Sequence, residues 1–337
     1  MASTNFKSRQ QCGRLLAIAF AVACAPSAAG AQATGGDEAV LTAVVGVHAK
    51  IGRGARSADT LGVERVGSGA IVRDGYVATI GYLVIEAESI EVTGADGRTV
   101  PAALAGYDHS SGFGLLKLLA PLAGRPIPLG DSTALAVKEP ALVAGFGGRD
   151  EVHVVQVVSR RAFSGSWEYL LESAIFTAPA VLDWSGASLI GADGELLGLG
   201  SLVVADALGE GKRAPGNMFV PIDLLKPILG ALIDRGRTPG PGRPWLGVYA
   251  EEIHGRLFVT RVSPGGPAER AGMRPGDIVL GVGGEETDTL AGFYRKIWSR
   301  GAAGVEVPLQ VLQGARINDL RIRSIDRGEY FKPRPSY

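Results

Sequence analysis

Histidine and cysteine are scarce in this 337-residue chain, with four of the first and two of the second. Both cysteines, Cys12 and Cys24, fall in the first 31 residues, which read as a removable leader. Lys7, Arg9 and Arg14 precede a ten-residue apolar run, Leu15–Cys24, and Ala29-Gly30-Ala31 supplies a small-residue cleavage pattern. Processing there leaves no thiol, which excludes disulfides and cysteine nucleophiles from the mature protein. The apolar run is shorter than the ~20 residues a spanning helix needs. The expectation is therefore a periplasmic or secreted protein with no integral membrane segment after processing. An uncleaved anchor, or lipidation at Cys24 behind the poor lipobox Ala21-Val22-Ala23, are the alternatives.

An excess of charge of one sign is also lacking. The chain has 34 Lys+Arg against 34 Asp+Glu. The leader holds three basic residues and no acidic one, so the processed chain carries a net charge of −3. A nucleic-acid binder that depends on a basic surface is excluded. Aromatic residues are missing from the start of the mature chain, with no Phe, Trp or Tyr between Phe20 and Tyr76.

Glycine, by contrast, is abundant. There are 49 Gly and 19 Pro, with 46% hydrophobic and 20% charged residues. This composition belongs to a folded chain rich in tight turns, and the length suits two domains. Between Ala39 and about Ser201 short β-type runs follow one another: Val44–Ile51, Gly69–Val72, Tyr76–Ile80, Ser89–Val92, Val100–Ala105, Leu115–Leu118, Ala141–Gly145 and Val152–Val158. Asp74-Gly75, Asp96-Gly97 and Asp193-Gly194 are hairpin-type turn signals. So many short strands predict an all-β barrel or sandwich. Leu224, Leu225, Ile228, Leu229 and Leu232 recur at helical spacing and predict one amphipathic helix from Pro221 to Arg235, stopped by Gly236.

The expected organisation is a leader at 1–31, a first domain at 39–236, a Pro/Gly linker at 237–244, a second domain at 245–326 and a tail at 327–337. The second domain has β-type runs at Leu246–Tyr249, Leu257–Val262, Ile278–Val282 and Val307–Leu312, with a helix near Leu290–Ser299. Its Phe293 and Ile297 read as core residues. The Pro-rich end, Lys332–Tyr337, is expected to be unstructured.

Several ordered segments resemble the high-temperature-requirement (HtrA/Deg) serine proteases. They are Gly67-Ser68-Gly69-Ala70-Ile71-Val72, Asp74 to Thr79, Gly106-Tyr107-Asp108, Leu115-Leu116-Lys117-Leu118, Pro128 to Ser132, Gly194 to Gly198 and Phe219-Val220-Pro221. The resemblance implies a trypsin-like double β-barrel followed by a small α+β PDZ domain, making the whole chain β-dominated.

A serine hydrolase needs a nucleophile, a base, a group orienting that base, and N–H donors for the oxyanion. The family pattern puts its His at Tyr82, in Thr79-Ile80-Gly81-Tyr82-Leu83-Val84, and its Asp at Gly112. Its nucleophile motif becomes Asp183-Trp184-Ser185-Gly186-Ala187-Ser188, in which Ser185 and Gly186 survive. An Asp at 183 is expected to carry a steric penalty if the loop needs a positive φ, and to set a carboxylate near developing negative charge. His48, His109, His153 and His254 stand elsewhere in the pattern, and nothing in the spacing selects Lys117 or Lys138 as a substitute base.

The resemblance also implies that Leu246, Gly247 and Val248 donate backbone N–H groups to the terminal carboxylate of a bound peptide, with Trp245 flanking the pocket. The expectation is an exported, catalytically degenerate binder of peptide C-termini or unfolded envelope proteins, acting as an adaptor or a chaperone-like quality-control factor. No metal or cofactor is expected. An active endopeptidase with a non-standard base, and a structural protein whose PDZ groove is filled intramolecularly, remain as alternatives. Trimerisation through N-terminal aromatics, which the family uses, lacks its residues here.

Overall fold

The computed structural model describes residues 40–331 apart from residue 210. The leader, Cys24 and the segment Lys332–Tyr337 lie outside the described residues.

Six strands close the first barrel: β1 (Val44–Ile51), β2 (Glu64–Arg73), β3 (Tyr76–Ile80), β4 (Ala87–Thr93), β5 (Thr99–Tyr107) and β6 (Phe113–Leu118), in the order β1-β2-β3-β6-β5-β4. Two of its connections are the anticipated Asp-Gly turns. Gly75 and Gly97 take φ of +74° and +78°, a region a Cβ disfavours. A second barrel follows: β7 (Pro140–Ala144), β8 (Val152–Gly165), β9 (Tyr169–Ala178), β10 (Ser188–Ile190), β11 (Leu196–Val204) and β12 (Gly216–Pro221), ordered β10-β11-β12-β9-β8-β7. Closure leaves neither barrel with a free edge. Phe113, Leu115 and Leu116 are fully enclosed in the first barrel, and Phe176, Leu189 and Phe219 in the second.

A third sheet contains β13 (Val248–Ile253), β14 (Arg256–Val262), β15 (Ile278–Val282), β16 (Glu285–Glu286), β17 (Glu306–Gln313) and β18 (Arg316–Arg323), in the order β13-β14-β15-β17-β18. Strand β17 shows the period-2 logic: Val307, Leu309 and Val311 are buried while their neighbours face outward. The helix Leu290–Trp298 packs Phe293, Tyr294 and Ile297 into this core, and Thr289 caps its start by accepting from Gly292 N.

Three expectations change. The amphipathic stretch 221–235 is a short 3-10 turn at Ile222–Leu224 and a separate helix, Leu229–Arg235. Pro227 lies between them; it has no N–H to donate and its ring clashes with the preceding turn, so a continuous helix fails there. Gly236 ends the second piece at φ +70°. Strand β8 extends seven residues beyond Val158 and forms a long hairpin with β9 that leaves the barrel. The region assigned to the tail begins with a helix, Arg327–Tyr330; its Tyr330 is buried against Trp245, with ring centroids 4.6 Å apart.

Candidate functional site

Ser185 and Tyr82 stand 103 positions apart in the chain and meet where the two barrels face each other. Tyr82 Oη lies 2.9 Å from Ser185 Oγ and donates to the Ser201 carbonyl at 3.0 Å. A phenol has one proton to give. With that proton on Ser201 O, the Ser185 hydroxyl donates to Tyr82 Oη. Burial raises the Tyr82 pKa above the usual phenol value, and the Ser185 hydrogen bond only partly offsets it.

The frame around Ser185 is tightly built. Ser68 N donates to the Ser185 carbonyl, Thr79 Oγ1 to the Ser68 carbonyl, and Gly186 N to the Gly200 carbonyl. Gly186 has φ +74°, and a Cβ there would lie 1.9 Å from Ser68 O, so only glycine fits. Arg65 holds the turn that presents Tyr82, donating to the Tyr82 carbonyl at 2.7 Å and the Ile85 carbonyl at 3.1 Å. It also donates to the Gly62 carbonyl and to Ser57 Oγ. No sequence motif marked this arginine, because an Arg inside a strand ordinarily faces water.

Gly112 also has a positive φ, +83°, and its carbonyl accepts from Gly81 N. A Cβ there would meet Tyr169 Oη at 3.2 Å. The nearby Asp108 carboxylate is committed to its own turn, accepting from Ser110 N, Ser111 N and Ser111 Oγ. Asp183 does not pay the expected steric penalty, since it is not among the residues at positive φ. It is exposed, and its carboxylate beside Glu151 raises that residue's pKa.

The histidines have other surroundings. His48 pairs with Glu64 and Glu91 on the outer face of β1. His109 packs against Tyr107 and Phe331, and burial pushes its pKa well below the usual value. His153 lies opposite Val143 on β8, and His254 forms the β13–β14 turn at φ +50°. Lys138, also at positive φ, donates its backbone N–H to Val157. Among the described residues, no group of three or more His, Cys, Asp or Glu is placed to hold a metal ion.

The second site is the loop entering β13. The backbone N–H groups of Leu246, Gly247 and Val248 converge on the side chain of Glu168. Gly247 sits at φ +82°, which turns consecutive donors toward one point. Trp245 does not share in this hydrogen bonding. It is buried, pairs its backbone with Ile325 and packs on Tyr330, so it braces the loop from behind. Phe293 and Ile297 are core residues. Glu168 carried no signal in the sequence beyond being an acidic residue in a Gly-Ser-Trp-Glu turn.

Comparison with known proteins places these two sites in context. The family model described as a trypsin-like peptidase domain matches residues 67–199, and that of the PDZ domain matches 258–312. The chain is similar to the periplasmic pH-dependent serine endoprotease DegQ of Escherichia coli, 28% identical over 272 residues, covering 75% of this chain and 58% of that protein. It is also similar to the serine protease Do-like HtrA of Bacillus subtilis, 26% identical over 277 residues, with 74% and 61% covered. The chain thus spans a little over half the length of these relatives. Among solved structures, an HtrA-type protease, AlgW, with a decapeptide matches at TM-score 0.53 and 21% identity, covering 90% of this chain and all of that one. The serine endoprotease from Yersinia pestis matches at TM-score 0.50 and 24% identity, with 87% and 98% covered.

Proposed function

We propose that this chain, an HtrA/Deg-type protein with trypsin-like barrels followed by a PDZ domain, is an envelope peptide-binding factor that does not hydrolyse peptide bonds. It would take peptide C-termini or unfolded polypeptides as an adaptor or a chaperone-like quality-control component. Relatives named as periplasmic proteases support the compartment.

The observation that carries the non-hydrolytic reading is the phenol beside Ser185. A general base must be deprotonated near the working pH and must take the nucleophile's proton as attack proceeds. Tyr82 keeps its own proton on the Ser201 carbonyl, and burial raises its pKa further from neutrality. It holds the Ser185 hydroxyl without activating it. Gly112, to which the family pattern would assign an orienting carboxylate, has no side chain, and its φ of +83° disfavours one.

The convergent amides of Leu246, Gly247 and Val248 support the binding half of the reading, because they already hold a carboxylate. The test is labelling by a fluorophosphonate probe together with casein cleavage, comparing the wild type with Ser185→Ala across a range of pH. Neither reaction is expected in either protein. Labelling or cleavage that disappears in Ser185→Ala would establish an active endopeptidase instead.

A further inference from the structure

Glu168 begins from an unfavourable position. It sits at the tip of the β8–β9 hairpin at φ +57°, a backbone region that side-chain-bearing residues avoid. Its carboxyl is buried, which is costly unless partners are supplied. The hydrogen-bond partners it has come from the PDZ domain. Its Oε1 accepts from Gly247 N at 2.6 Å and Val248 N at 2.8 Å, and its Oε2 accepts from Leu246 N at 3.0 Å.

The rest of the hairpin tip continues the same pattern. The Ser166 carbonyl accepts from Ala250 N at 3.0 Å, so backbone from the hairpin pairs with β13, the edge strand of the third sheet. Tyr294, on the helix Leu290–Trp298, donates to the Gly165 carbonyl at 2.7 Å and accepts from Glu168 N at 3.3 Å. Leu170 is buried in the PDZ core cluster that contains Leu246, Val248 and Phe293. A carboxylate in the amide loop, main chain along the edge strand and an apolar side chain in the core are the three contacts that a peptide C-terminus makes when it adds to a sheet edge.

The hairpin is also prefolded for the task. Trp167 stacks on Tyr169 at 5.8 Å and folds over Gly165, where a Cβ would lie 2.7 Å from the indole. A rigid tip loses little conformational freedom on docking.

We propose that the β8–β9 hairpin is a built-in ligand of the PDZ domain, in which the Glu168 carboxylate takes the place of a peptide's terminal carboxylate and must be displaced before a peptide binds. This rests on the peptide-binding reading above and adds its regulation: the groove is held shut from within, and ligands that end in a free carboxylate compete for it. Apparent affinity is then the intrinsic affinity reduced by the fraction of molecules with the hairpin undocked.

The test uses the full chain and fluorescence anisotropy with a labelled peptide ending in an apolar residue and a free carboxylate, alongside its C-terminally amidated twin. In Glu168→Gln the side chain keeps its size, but an amide NH2 replaces one acceptor and faces N–H donors. Glu168→Gly removes the carboxylate and favours the local backbone, so that one variant folds if the other does not. Both are expected to bind the free-carboxylate peptide at least about tenfold more tightly than wild type, with no gain for the amidated peptide. Without peptide, hydrogen exchange at the amides of residues 246–248 is expected to be slow in wild type and fast in the variants. Equal peptide affinity in wild type and variants, or equal amide protection, would overturn the built-in ligand and leave peptide binding intact. Absence of binding in wild type and variants alike would overturn the peptide-binding reading itself, and the competition with it.

Discussion

The loop around Ser185 and the loop at Leu246–Val248 are both closely built, and they differ in what fills them. At Ser185 a tight backbone frame, with Gly186 at φ +74° against Ser68 O, surrounds a serine whose hydroxyl meets the Tyr82 phenol. At Leu246–Val248 the donor geometry is complete, but the chain's own Glu168 fills it. The comparison teaches that convergent donors do not establish an open site, and a tight backbone frame does not by itself supply a base.

The largest effect is expected from breaking the frame of the first loop. Gly186→Ala would force a Cβ onto the Ser68 carbonyl at a left-handed φ. The expected cost is at least about 3 kcal/mol of unfolding free energy, measured by urea denaturation. A loss below about 1 kcal/mol would mean that the Ser185 loop is softer than its close contacts indicate.

The second loop can be probed by pH. Burial pushes the Glu168 carboxyl up to about 7, above the usual carboxylate range, against the opposing pull of the three amides and Arg327. The ionisable groups facing it are Arg327 and the Tyr294 phenol, and Tyr294 is pushed above the usual phenol range by its own burial. A carboxyl whose docked pKa is raised favours docking fully below its undocked pKa. That advantage is lost as the pH climbs through the docked value. Peptide affinity in wild type is therefore expected to strengthen between pH 5 and pH 7 by up to about tenfold per pH unit. The peptide's own carboxylate is ionised throughout that range. In Glu168→Gln the slope should vanish, and a slope that persists would assign the pH dependence to another group.

The smallest effect belongs at the rim of the docked hairpin. Arg295 makes two hydrogen bonds to the Glu172 carboxylate, but both side chains are more than half exposed. Exposed pairs are worth little. Glu172→Ala is expected to change stability by less than about 0.5 kcal/mol and peptide affinity by less than about twofold. A larger shift in anisotropy titrations would mean that the rim, and not the carboxylate, holds the hairpin in place.

The parts of the fold legible in the sequence were those set by local rules. The Asp-Gly turns placed Gly75 and Gly97 at positive φ, and the alternation in β17 marked the inward face. Tyr82 could be matched to Ser185 from the order of the motifs along the chain, and the two hydroxyls lie 2.9 Å apart. The misreadings were of another kind. Leu224 to Leu232 has helical spacing, yet Pro227 interrupts it, since periodicity describes side chains and a missing N–H affects the backbone. Trp245 sits beside the carboxylate loop in sequence but is turned into the core by Tyr330, a residue 85 positions later and outside the assigned domain.

The sequence by itself determined the β-dominated architecture and the glycine-bearing stretch that forms the loop at 246–248. These depend on residue type and local spacing. Only the tertiary structure decided what occupies that loop. Glu168 lies about 80 residues away from it, and an acidic residue at a hairpin tip would ordinarily be solvated. Which donors a carboxylate finds is set by how two domains pack together, and no local pattern encodes that.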